Sequence, residues 1–176
     1  MNLYEATREL HHSAEQHPLA KSMMDGSITE QAWCDWLYAM WAVHSAIDIS
    51  VPECVRRAAS LQQDMMDMLP VSPFRSSAAV SFARTLDNPI AIGGAAYIFI
   101  GAHRRGGRVI KKAMEDAGRG LPNSHTVFED NQASELFVRN LRNYPDLAMG
   151  AKRAFAAVVA IMDEIHQRNA QSNLLL

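Results

Sequence analysis

Residues 89–102 read Pro-Ile-Ala-Ile-Gly-Gly-Ala-Ala-Tyr-Ile-Phe-Ile-Gly-Ala, without a charge on any face, and the chain then turns polar at His103, Arg104 and Arg105. A helix that is apolar all round has to be enclosed by other elements. The run is shorter than the roughly 20 residues a bilayer crossing needs, and the closing Asn173-Leu174-Leu175-Leu176 is shorter still, so no membrane partner is expected. Amphipathic spacing resumes through Val109, Ala113, Met114 and Ala117. The segment therefore predicts a central helix of a compact bundle.

The flanking sequence supplies the helices to surround it. Leu3, Ala6, Thr7, Leu10 and Ala14 recur at helical spacing and predict a helix over 3–16, which Pro18 ends or follows with a new one. Ser27 with Glu30 has the pattern of a capping box, and Trp33, Trp36, Leu37, Met40, Val43 and Ile47 extend a helix to about residue 49. Pro52 is expected to open a methionine-rich helix to about Leu69, with a turn at 70–73 and a shorter helix over 75–86. Residues 118–124 read as a loop, and Ala133, Leu136, Phe137 and Leu141 pattern the next helix. Pro145 starts the last, with Leu147, Ala151, Phe155, Val158, Met162 and Ile165 on its buried face and fraying expected after Asn169. No segment alternates like a strand and no repeat or linker divides the chain, so the fold class is an all-α, single-domain helical bundle.

A length of 176 residues suffices for one core without disulfide or metal staples. The formal charge of −2 gives no reason to expect nucleic acid, which leaves a small molecule as the expected partner. Cys34 and Cys54 lack zinc or CxxC spacing and the N-terminus does not read as a secretion signal, so a cytoplasmic setting is expected.

Three features carry chemistry. Gly93, Gly94, Gly101, Gly106 and Gly107 lie in or beside one predicted helix, where each interior glycine costs about 1 kcal/mol relative to alanine. Either the backbone bends to approach something flat and bulky, breaking the helix, or neighbouring helices pack tightly there. His11 sits at the edge of the first helix's apolar face, while His12 turns toward Arg8, Glu15 and Gln16. Glu15, four residues on, is placed to fix the His11 tautomer, as partners of metal-bound histidines do; the plainer alternative is a hydrogen-bonded core histidine. Arg104, Arg105, Arg108, Lys111 and Lys112 form either a docking edge for carboxylates or an acidic protein, or a solvated helix face.

The segment Glu5-Ala6-Thr7-Arg8-Glu9-Leu10-His11-His12-Ser13-Ala14-Glu15, followed by Tyr97 through Gly106-Gly107-Arg108-Val109-Ile110-Lys111-Lys112, resembles the biliverdin-producing haem (heme) oxygenases, with collinear similarity over about residues 3–168. The resemblance implies that His11 is the axial iron ligand with Glu15 as its orienting partner. It places the backbone near Ala102, Gly106 and Gly107 over the distal haem face. Tyr97 and Phe155 match pocket-lining positions, Arg142 matches a residue that pairs with a haem propionate, and Arg8 is a similar basic position. An arginine fork suits a carboxylate, and large apolar side chains suit a porphyrin face.

The chain also departs from that pattern. Ala102 stands where the family has a glycine over the iron, and His103 where many members carry a carboxylate that orders distal water. Phe99 and Val158 replace polar members of the animal enzymes' water network, and His44 replaces a tyrosine hydroxyl. The resemblance implies opening of the haem macrocycle to biliverdin, iron and CO with O2. His103 then acts as a neutral hydrogen-bond donor with His44, as a base that favours O–O rupture, or as a second iron ligand. The last option makes the protein a non-enzymatic haem carrier or sensor. A further alternative is a non-haem di-iron protein built on Glu9-x-x-His12 and Asp163-x-x-His166, although matching inward glutamates are missing. No nicotinamide or flavin fingerprint is present, so electrons would come from a ferredoxin or a flavoprotein reductase.

Overall fold

The computed structural model describes residues 2–173. Eight α-helices follow one another in that span: α1 (Leu3–Glu15), α2 (Pro18–Met24), α3 (Glu30–Ile47), α4 (Ala58–Asp67), α5 (Ser77–Ala83), α6 (Pro89–Asp116), α7 (Asn131–Leu141) and α8 (Ala148–Asn173). There is no strand among the described residues, and no helix among them is long and apolar enough to cross a membrane.

The apolar run becomes the first half of α6, whose Ala95, Ala96, Phe99 and Ile100 are sealed in the core beside Trp33, Leu37, Met40 and Ile161. Pro89 sits in the first turn, where its missing N–H is no loss, and Asn88 caps the helix by accepting from the Ala91 N–H at 3.0 Å. The helix is continuous over its 28 residues, so the expected break at its glycines does not occur.

Gly94 of α6 and Gly150 of α8 set how closely the two helices cross. A Cβ on Gly94 would lie 2.3 Å from Ala151 N and 2.4 Å from Gly150 C, and one on Gly150 would lie 2.4 Å from Ile90 O. Backbone meets backbone there, which is the tight-packing alternative. Ala151, Ala154, Ile161 and Ile165 of α8 are completely buried, and α1, α3, α5 and α6 all pack on this helix. The last helix runs unfrayed through Asn169 to Asn173. Asp35 explains part of this: it accepts from Arg168 at 2.7 Å and from Asn169 at 3.3 Å, pinning that stretch of α8 to α3.

Two helix starts differ from expectation. Thr29, not Ser27, caps α3 by accepting from the Ala32 N–H at 3.1 Å, while the Ser27 N–H donates to Asp25. Pro52 leads into a 3-10 turn at Glu53–Val55, and α4 begins only at Ala58. Its cap comes from outside: Asp48 Oδ2 accepts from the N–H groups of Arg57 and Ala58 at 2.8 and 2.7 Å. A carboxylate at a helix N-terminus satisfies orphan donors and meets the positive end of the dipole.

Candidate functional site

α1 packs chiefly on α8, as does α6, and a cavity of about 760 Å³ opens between α1 and α6. A volume of this size falls within the roughly 300–1,000 Å³ typical of ligand sites. Arg8, His11 and Glu15 line it from α1, Tyr97, Ala102, His103, Gly106 and Gly107 from α6, Arg142 from the end of α7, and Phe155 from α8. His44 is not among the lining residues. It lies fully buried on α3, with its ring centroid 4.8 Å from that of His103.

His11 stands on the cavity side of α1, and His12 does not line the cavity. The His11 Nδ1 lies 3.4 Å from Glu15 Oε1, one helical turn away, which leaves Nε2 as that ring's remaining donor atom. Phe155 meets the imidazole ring edge-to-face at 5.9 Å. Leu10 is less buried than its spacing predicts, and Leu3, Thr7 and Ala14 carry the buried face of α1.

The glycines of α6 divide by what surrounds them. A Cβ on Gly93 would meet Leu147, and one on Gly107 would come within 2.7 Å of Thr126 Cγ2. A Cβ on Gly106 would meet nothing within 4 Å, and one on Gly101 would meet only Val138 Cγ1 at 3.6 Å. Both line the cavity, so the middle of α6 presents bare backbone to the open space. With Trp36, Met40, Ile98, Val158 and Met162 also in the lining, the walls suit a large flat apolar ligand.

Positive charge gathers on the same cavity through Arg8, Arg105, Arg139 and Arg142. Arg142 also stacks over the Tyr4 ring at 4.7 Å. The docking edge expected over 104–112 is not a uniform free surface. Arg104 is buried, donating to Ser134 Oγ at 2.8 Å and to Asn131 Oδ1 at 2.8 Å, so it ties α6 to α7. Arg108 donates to the same Asn131 oxygen, and Lys112 pairs with Asp116.

Beyond His103 lies a group of imidazoles that sequence reasoning only partly found. His125, in the 3-10 turn Ser124–Thr126, meets the His103 ring edge-to-face at 4.9 Å and lies 5.9 Å from the Trp33 ring of α3. Its Nδ1 lies 2.6 Å from Asp64 Oδ2, and that carboxylate also accepts from the Ser124 and His125 N–H groups at 2.8 and 3.0 Å. Burial raises the Asp64 pKa, but the hydrogen bonds from His125 and Ser124 outweigh it, so the carboxyl stays below its ordinary range. Burial drives His44 toward its neutral form despite nearby Asp48, and holds His103, beside His44, His125 and Arg57, well below the ordinary imidazole range. His125 and Asp64 gave no sequence signal, because their pairing spans 61 positions.

The di-iron alternative finds no support: among the described residues no group of three or more His, Cys, Asp or Glu could hold a metal ion. Asp163 lies instead 3.1 Å from His17, whose ring stands near that of His166.

No family model and no curated relative matches the sequence. Solved structures do match. Heme oxygenase-1 from the cyanobacterium Synechocystis sp. PCC6803, in complex with heme, superposes with a TM-score of 0.81 at 17% identity, over 98% of this chain and 94% of that one. Heme oxygenase from Leptospira interrogans gives 0.78 at 19% identity, over 92% and 97%. Heme oxygenase-2 from Synechocystis sp. PCC 6803, in complex with heme and NO, gives 0.79 at 15% identity, over 94% and 84%. The chain has the all-α fold of the haem oxygenases.

Proposed function

We propose that residues 1–176 form one haem oxygenase-like domain, with its core over about 3–168, that binds haem in the α1–α6 cavity and opens it oxidatively to biliverdin, iron and CO, with O2 and an external electron donor. The observation that carries the reading is the cavity itself: one space is lined by a carboxylate-oriented histidine on α1 and by the bare backbone around Gly106 on α6. Haem-bound structures of the same fold support the choice of ligand.

The residues fit the group. His11 would hold the iron through Nε2 while Glu15 keeps the proton on Nδ1 and raises ligand basicity. Phe155, Met40 and Val158 would cover porphyrin surface, and Arg8, Arg105, Arg139 and Arg142 would pair with the propionates. Haem supplies both the iron that activates O2 and the macrocycle that is opened. His103, whose burial favours the neutral imidazole, would present a hydrogen-bond donor at the α6 wall of the cavity. Electrons would come from a ferredoxin or flavoprotein reductase, with the exposed Arg108 and Lys112 of the basic run as its docking edge.

The carrier alternative needs His103 as a second ligand. Its ring instead packs against His44 and His125, and its Nε2 is buried from solvent, which favours a hydrogen-bonding role. Haemin added to the purified protein and reduced by ascorbate in air, with catalase present, tests both readings. Loss of the Soret band with rising bilin absorbance is the expected result. A low-spin spectrum that survives ascorbate would overturn oxygenase activity in favour of the carrier.

A further inference from the structure

His44 is completely buried, yet neither of its ring nitrogens has a hydrogen-bond partner. His103 Nε2 and Asp48 Oδ1 are likewise buried and unpaired. Native proteins keep few such atoms, and a group of them in one place asks for a reason. These four belong to three neighbouring side chains, Asp48, His44 and His103. Asp48 Oδ1 is 3.6 Å from His44 Nδ1, the His44 ring is 4.8 Å from the His103 ring, and His103 lines the cavity.

The two carboxylates at the ends of the imidazole group differ in one respect. Asp64 is 1% exposed and all its polar contacts are taken by His125 and Ser124. Asp48 is 13% exposed, and its Oδ2 alone is held by the Arg57 and Ala58 N–H groups, which leaves Oδ1 toward His44. One branch is closed and the other reaches the surface. Among the described residues these side chains form no metal-binding group, so the imidazoles are not a cation site.

We infer that Asp48, His44 and His103 form a proton path from the surface at the end of α3 to the α6 wall of the cavity, with His125, held by Asp64, as the positioning residue that keeps the His103 ring in line. This rests on the oxygenase reading, which consumes protons inside the cavity. His103 gives one ring proton to an acceptor there and takes another at its second nitrogen from His44. The Asp48 carboxylate first takes a proton from hydronium at its exposed edge, passes it to His44 at Nδ1, and returns to the carboxylate that caps α4. Each imidazole breaks one N–H bond and forms one, so neither holds a charge between transfers. That matters here, because burial disfavours a charge on either ring, Arg57 and His125 add to this, and Asp48, the one carboxylate facing His44, does not outweigh it.

Asp48→Asn is the test, since its amide oxygen still caps Arg57 and Ala58; His44→Gln serves as the second variant if the first does not fold. In haemin-free protein, the ring ¹⁵N resonances of His44 and His103 are expected to shift together in Asp48→Asn while those of His125 stay in place. In haemin-loaded protein, ascorbate-driven haem loss is expected to slow by about tenfold or more, the scale of general acid catalysis, with unchanged haemin affinity and a larger solvent deuterium isotope effect. Resonances that do not move overturn the path, and so do moved resonances with undiminished turnover, which would make the cluster structural. If the unsubstituted protein binds haemin but never degrades it, the oxygenase reading fails, and the haemin-free resonances separately decide whether the three groups are connected.

Discussion

His103 packs against two other histidines, its ring centroid 4.8 Å from that of His44 and 4.9 Å from that of His125, and burial favours the neutral form of both His44 and His103. The unfolded chain protonates both near the ordinary imidazole value, about 6.5. Below that pH the unfolded state binds more protons than the folded one, so stability falls as pH falls. Each residue contributes about 1.4 kcal/mol per pH unit over the window from about 6.5 down to its folded pKa. Urea unfolding at pH 7.5, 6 and 5 is expected to show this slope, and His103→Leu is expected to reduce it by about one proton. Asp64 adds a second window at lower pH. Its folded pKa is depressed, so its contribution is complete above the ordinary carboxyl value of 3.8 and is lost below it, as the pH passes through the folded pKa. A wild-type slope equal to that of His103→Leu would show that His103 is not buried neutral.

Gly94 and Gly106 are both interior to α6, yet alanine should act oppositely at the two. At Gly94 the added carbon would meet Ala151 and Gly150 backbone at 2.3–2.4 Å, and neither can rotate away. Gly94→Ala is expected to cost about 2–3 kcal/mol, the scale of overpacking. At Gly106 the added carbon meets nothing, so Gly106→Ala is expected to stabilise the haemin-free protein by up to about 1 kcal/mol through helix propensity. The same methyl would project into the cavity and weaken haemin binding. Thermal unfolding without haemin and titration with it check both signs.

This division of the glycines marks where the sequence was legible. Their density in one helix announced close approach, but whether the neighbour was another backbone or an open cavity depended on α8 and on Thr126, far away in the chain. The central helix could be read because a run apolar on every face has one stable placement. The start of α4 could not, because its cap is Asp48, a residue from the preceding element; Pro52 offered a local signal that the tertiary cap overrode. Likewise His11 and Glu15 share one helical turn and were visible as a pair, whereas Asp64 and His125 meet only through folding.

Arg104 and Arg105 are adjacent in sequence and separate in consequence. Arg104 is buried on Ser134 and Asn131, so Arg104→Ala strands those partners and is expected to cost about 2–3 kcal/mol. Arg105 lines the cavity from an exposed position, so Arg105→Ala should leave unfolding unchanged and weaken haemin binding several-fold. Haemin dimethyl ester, which lacks free propionates, should bind both the wild type and Arg105→Ala alike. A preference of the wild type for the ester would place Arg105 elsewhere than on a carboxylate.

His11 and Glu15 should separate ligation from its support. Removing the imidazole in His11→Gly takes away the proposed iron ligand without touching the core, because the ring is largely exposed to the cavity. The variant is expected to fold normally and to give haemin a weakened, water-ligated spectrum, with free imidazole restoring the wild-type bands. Glu15→Gln keeps an acceptor for Nδ1–H but removes the charge. Loss of such a partner commonly weakens metal binding by about 10–100-fold, and here the result should sit at or below the lower end, since Glu15 is half exposed and water screens it. Its iron–histidine stretching frequency should fall, because a less anionic partner makes the imidazole a poorer donor. Failure of imidazole to rescue His11→Gly, with the fold intact, would move the iron ligand to another residue of the cavity.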